Sequence, residues 1–128
     1  MRIAVTIAST LILFTTLASA QPSPFDGKWS GPATSPTAGQ IQVDLKIAKG
    51  AGTMRYEQKV NYVTTDQCAN RDLPVVVESQ TATEMTIAIK GDTVLKGCFN
   101  ESSTLKLIDP KTLQGTLKDG RTMKLTRK

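Results

Sequence analysis

From Gln40 onward, apolar residues recur at every second position, the spacing of a pleated strand with one buried and one wet face. Ile41, Val43, Leu45 and Ile47 fall on one side, and Gln42, Asp44 and Lys46 on the other. Lys49-Gly50-Ala51-Gly52 is a turn, after which Met54, Tyr56, Gln58, Val60 and Tyr62 share a face opposite Arg55, Glu57, Lys59 and Asn61. The two runs predict a long hairpin.

The rhythm continues to the end of the chain. Leu73, Val75 and Val77 form one set, with Pro74 tolerable only near a strand start or on an edge. Met85, Ile87 and Ile89 form the next, and Gly91-Asp92 turns into an expected strand over 93–100, with Leu95 and Phe99 inward and Lys96 and Cys98 outward. Leu105 and Leu107 precede the turn signal Asp109-Pro110; Leu113, Gly115 and Leu117 precede Asp119-Gly120, which has the chemistry of a type I′ hairpin turn. Counted from Gly27, the pattern gives about eight or nine short strands and no helix. Sequential strands pair antiparallel, and closing them into an up-and-down barrel removes the two exposed edges. A β-sandwich is the alternative, and the regular turns favour the barrel. Residues 31–39, rich in Pro, Thr and Ser, read as a mobile loop between the first two strands.

The first 20 of the 128 residues lack this rhythm. Met1-Arg2, a mostly apolar run without acidic residues and the small-x-small site Ala18-Ser19-Ala20 together predict a signal peptide, 1–20, cleaved after Ala20. The apolar run, about 15 residues, is short for a membrane span, which needs about 20. Residues 21–128 are then one barrel domain, expected to be soluble in a secreted or periplasmic location. An oxidising compartment makes Cys68 and Cys98, the only two cysteines, an expected disulfide on the outer wall.

Net charge is +5, or +4 without the leader's Arg2, and the chain has no histidine. Imidazole chemistry is excluded, and two cysteines cannot make a four-ligand zinc site or hold an iron-sulfur cluster. No Ser-His-Asp triad or Gly-x-Ser-x-Gly elbow is present, so the chain reads as non-enzymatic and without a cofactor or metal.

Gly27-Lys28-Trp29 at the start of the first strand, with Arg127 on the last, resembles the calycin pattern of lipocalins and avidin-like barrels. The resemblance implies a Gly-x-Trp that opens the barrel and a basic side chain that covers the tryptophan at the closed end. Gly27, Trp29 and Arg127 would then form a structural floor. The layout also resembles small periplasmic protease inhibitors, whose N-terminal segment enters a protease cleft; Gln21-Pro22-Ser23-Pro24-Phe25 would be that segment here.

Binding is therefore the expected activity. Tyr56, Gln58 and Tyr62 project inward on the longest run and are the candidate ligand contacts, with Gln58 the polar group that needs a partner. The expected ligand is small and apolar, held at the open end under a lid formed by 31–39. The alternative is a protein-directed inhibitor or immunity-type module with a filled barrel. Lys106, Lys118 and Lys124 share outward parity and suggest a patch for an acidic partner, or simply solubility and edge protection. Nucleic acid is not expected, because stacking aromatics are missing from this patch.

Overall fold

The computed structural model of the chain describes residues 23–36, 39–58 and 66–128, the side chain of Gln58 excepted. The predicted leader 1–20, Val60 and Tyr62 lie outside the described residues. Eight strands follow one another: β1 Gly27–Ser35, β2 Gly39–Ala48, β3 Ala51–Gln58, β4 Leu73–Gln80, β5 Glu84–Lys90, β6 Asn100–Asp109, β7 Thr112–Thr116 and β8 Thr122–Arg127. Each pairs antiparallel with the next, and β1 also pairs with β8, closing an up-and-down barrel. Closure, and not a two-sheet sandwich, is how this sequence disposes of its edges.

The two-residue period sets the inside of the wall. Trp29, Ile41, Val43, Leu45, Ile47, Met54, Leu73, Val75, Met85, Ile87, Ile89, Leu105, Leu113, Met123 and Leu125 are all buried, while the intervening residues face solvent or the barrel's flanks. Burying side chains of this size contributes roughly 1.5 to 3 kcal/mol each before chain entropy is subtracted.

Four details differ from the sequence reading. Residues 31–35 belong to β1, which stays in register with β2 as far as Ser35↔Gly39, so no lid loop starts at Gly31. The small residues there serve packing: a Cβ on Gly31 would lie 2.1 Å from the Lys124 carbonyl oxygen of β8. Residues 93–100 do not form a ninth strand. A 3-10 turn at Gly91–Thr93, with the Thr93 hydroxyl donating to the Lys90 carbonyl, leads the chain out of the wall, and Gly97 at φ +97° turns it back. The type I′ geometry belongs to Lys49-Gly50, at φ +52° and +80°, between the paired Ala48 and Ala51. At Asp119-Gly120 only Gly120 has positive φ, and its N–H donates to Leu117 O, a type I turn closed by a left-handed glycine.

The loops sort by end. The chain's first described residues, the turns at 49–50, 81–83 and 109–111 and the C-terminus gather at one end, and the 66–72, 91–99 and 117–121 segments gather at the other.

Candidate functional site: the open end of the barrel

The two ends differ in how completely side chains fill them. At the closed end Phe25 is fully buried against the core, and its carbonyl accepts the Trp29 indole N–H at 2.9 Å. The Arg127 guanidinium lies 4.2 Å from the Trp29 ring centroid, a cation-π distance. Its Nη1 donates to Asp26 O and its Nη2 to Pro24 O, each at 2.6 Å. Gly27, at φ +132°, leaves the space this needs, since a Cβ there would meet Arg127 Nη1 at 2.7 Å. Pro24 and Phe25 are thus fastened to the barrel floor and do not form a free N-terminal extension; Gln21 and Pro22 lie outside the described residues.

The open end holds a cavity of about 390 Å³. Ile41, Met54, Tyr56, Phe99 and Leu117 supply its apolar surface, and Asp66, Glu101, Lys118, Asp119 and Arg121 its polar groups. Grooves of similar volume, about 410 and 430 Å³, lie on the outer wall, but their surfaces are mainly polar. The open-end cavity alone among these continues the apolar interior.

Of the polar mouth residues, one comes from a strand and one from the position just before a strand. Glu101 continues the inward column of Leu105 and Ser103 on β6, and Arg121 precedes the inward pair Met123 and Leu125 at the start of β8. The others arrive on loops. The upper half of β3 has no partner in β4, which pairs only with Ala51–Met54. The 66–72 segment covers it instead, with Asn70 N–H donating to Tyr56 O at 2.9 Å and Arg55 to Asn70 O at 2.7 Å. The Cys68–Cys98 disulfide then ties this segment to the 91–99 loop. Cys98 is buried and Cys68 packs against the core, so the bridge spans two mouth loops and is not on the outer wall. The cause is the excursion at 91–99, which removes Cys98 from any strand.

Hydrogen bonds fix most of the polar rim. The Tyr56 hydroxyl donates to Asp66 Oδ2, and Asp66 Oδ1 accepts the Cys68 N–H at 2.9 Å. Burial, reinforced by the Asp66 carboxylate, holds the Tyr56 hydroxyl well above the ordinary phenol range. Asp119 accepts both the backbone N–H of Arg121 at 3.0 Å and its Nη1 at 2.9 Å, while Arg121 Nε donates to Gly39 O at 3.4 Å. Glu101 Oε2 accepts the Lys118 N–H at 3.0 Å, and its Oε1 has no hydrogen-bond partner among the described residues. Burial raises the Glu101 carboxyl above the usual carboxylate range, with the Lys118 N–H opposing.

Of the residues singled out from sequence, Tyr56 lines this cavity, the side chain of Gln58 and all of Tyr62 lie outside the described residues, and Glu101, Arg121, Asp66 and Phe99 were missed. Lys106, Lys118 and Lys124 do not make one patch. Lys106 and Lys124 flank Gln114 in one outward row, whereas Lys118 follows the end of β7 at the mouth, four residues or roughly 13 Å farther along. Lys106 also reaches Glu84 at 3.4 Å. Among the described residues no group of three or more His, Cys, Asp or Glu is placed to hold a metal ion, and no helix is long and apolar enough to cross a membrane.

No protein-family model and no curated protein matches the chain. Among solved structures it is similar to a redesigned beta barrel, with 19% sequence identity, a TM-score of 0.55 and coverage of 83% of this chain and 93% of that one. At that identity the likeness concerns architecture, and it agrees with the closed, eight-stranded antiparallel wall.

Proposed function

We propose that this chain is an exported, non-enzymatic binding protein of calycin type that holds a small, largely apolar ligand in the open end of its barrel. The carrying observation is the 390 Å³ cavity, whose volume falls within the range of small-molecule sites and whose apolar lining includes Ile41, Met54, Tyr56 and Leu117. Apolar walls with a few fixed polar groups suit a ligand that gains by desolvation and is oriented at one end. The Arg127 to Trp29 stacking at the other end, beside Gly27, supports the calycin reading. The leader pattern and the disulfide support export. A protein-directed role through the N-terminal segment has less support, because Pro24 and Phe25 are already engaged by the barrel.

Calorimetric titration with 1-octanol tests the reading, because this probe is small enough for the cavity and mainly apolar. Saturable one-site binding is expected, and Leu117→Trp, which fills the mouth, should abolish it while the fold persists by circular dichroism. Native mass spectrometry of protein from its own host should show a small adduct. Absence of saturable binding by octyl probes of any head group would overturn the proposal.

A further inference from the structure

Within the cavity the polar groups differ in what they have left to give. Asp66 is occupied by the Tyr56 hydroxyl and the Cys68 N–H, and Arg121 by Asp119 and the Gly39 carbonyl. Glu101 spends one oxygen on the Lys118 N–H, and the other has no partner among the described residues, on a side chain whose strand parity directs it into the barrel. Charge points the same way. Among the described residues lining this cavity, Asp66, Glu101 and Asp119 outnumber Lys118 and Arg121, a balance that disfavours an anion. Beside these groups stand Tyr56 and Phe99, with ring centroids 6.0 Å apart and planes tilted by 42°. Two aromatic rings at such an angle offer apolar surface to a ligand body and π density to a neighbouring cation.

Building on the ligand reading above, we infer that Glu101 anchors a cationic amine: the site takes a small amphipathic molecule whose ammonium group meets Glu101 Oε1 and whose apolar part lies against Tyr56 and Phe99. A half-buried carboxylate has given up part of its hydration, and an ammonium that donates to it restores a charged partner where water cannot fully do so. A neutral head could donate to the same oxygen but would bring no positive charge, leaving the half-buried carboxylate uncompensated. An anionic head would be repelled.

The experiment compares octylamine, 1-octanol and octanoate by calorimetry at neutral pH, on the wild type, Glu101→Gln and Lys106→Gln. Octylamine is expected to bind about ten-fold more tightly than 1-octanol, and octanoate more weakly than either. In Glu101→Gln, whose amide oxygen can still accept the Lys118 N–H, the octylamine to octanol affinity ratio should fall to about one. In Lys106→Gln, on the outer wall, the ratio should stay at its wild-type value. Octylamine and octanol binding equally to the wild type, octanoate binding most tightly, or an unchanged ratio in Glu101→Gln would each overturn the amine assignment and leave the pocket reading standing. Failure of all three probes to bind would overturn both.

Discussion

The Tyr56 hydroxyl and the Asp66 carboxylate meet at 2.5 Å, joining the upper half of β3 to the loop that carries Cys68. This bond ties the mouth together where β4 has left β3, and it reinforces burial in holding the phenol protonated.

Tyr56 should resist alkali. Its folded pKa lies above the unfolded value of about 10, so its contribution to stability is intact below that pH and is lost as pH rises beyond it. Spectrophotometric titration of Tyr62→Phe, which leaves Tyr56 as the only tyrosine, should show phenolate forming only together with alkaline unfolding. A reversible titration near the ordinary phenol value in folded protein would contradict this.

The sign is the same for Glu101 but the pH window is acidic. Its folded pKa is raised, chiefly by burial, so its favourable contribution is present below the unfolded value of about 4.3 and is lost as pH rises through the folded one. Without ligand, Glu101→Gln should therefore melt at the same or a slightly higher temperature than wild type at neutral pH. The difference should vanish in acid. A lower melting temperature for the variant at neutral pH would show that the Lys118 N–H bond to the carboxylate outweighs its desolvation.

At the closed end, Trp29→Ala should destabilise by about 3 to 5 kcal/mol, because it opens a cavity under Arg127 and removes the indole donor to Phe25. Gly27→Ala should cost about 1 to 3 kcal/mol, since alanine must adopt a positive φ and displace the guanidinium. Urea denaturation measures both. A loss under about 1 kcal/mol for Trp29→Ala would place the ring outside the load on the floor.

Unreduced protein should contain no titratable thiol, as Cys68 and Cys98 are joined and no described cysteine is free. Replacing both by serine should cost about 3 to 4 kcal/mol on the loop-entropy model for a 30-residue separation. It should also weaken octyl-probe binding, because the bridge holds the loops that bring Asp66 and Phe99 to the cavity. Unchanged binding in the double variant would mean that those loops keep their places without it.

Much of the wall was legible because inward positions were apolar without a break, as in Ile41, Val43, Leu45 and Ile47. The reading failed where composition imitated another state. Leu95, Lys96, Cys98 and Phe99 alternate like a strand, yet Gly91 and Gly97 bend that stretch into a loop. Pro, Thr and Ser in residues 31–36 imitate a loop, yet cross-strand packing keeps 31–35 in β1. For the site, the signal at Glu101 and Arg121 was present: carrying the parity of Leu105 and Met123 back toward the strand starts turns both charges inward. Asp66 and Phe99 had only an indirect trace, their nearness to Cys68 and Cys98. What places Asp66 beside Tyr56 is the missing β3 to β4 pairing, which no local pattern records.

The Lys128 N–H donates to the Lys28 carbonyl at 2.9 Å, and Arg127 holds Pro24, so the beginning and end of the described barrel are neighbours at its closed end. The cyclic ladder from β1 to β8 has no first strand in any energetic sense. A circular permutant with a short linker from Lys128 to Ser23 and new termini cut between Lys49 and Gly50 would keep all eight pairings and sacrifice one two-residue turn. The order of synthesis could thus be changed while the mouth, at the opposite end, keeps its shape.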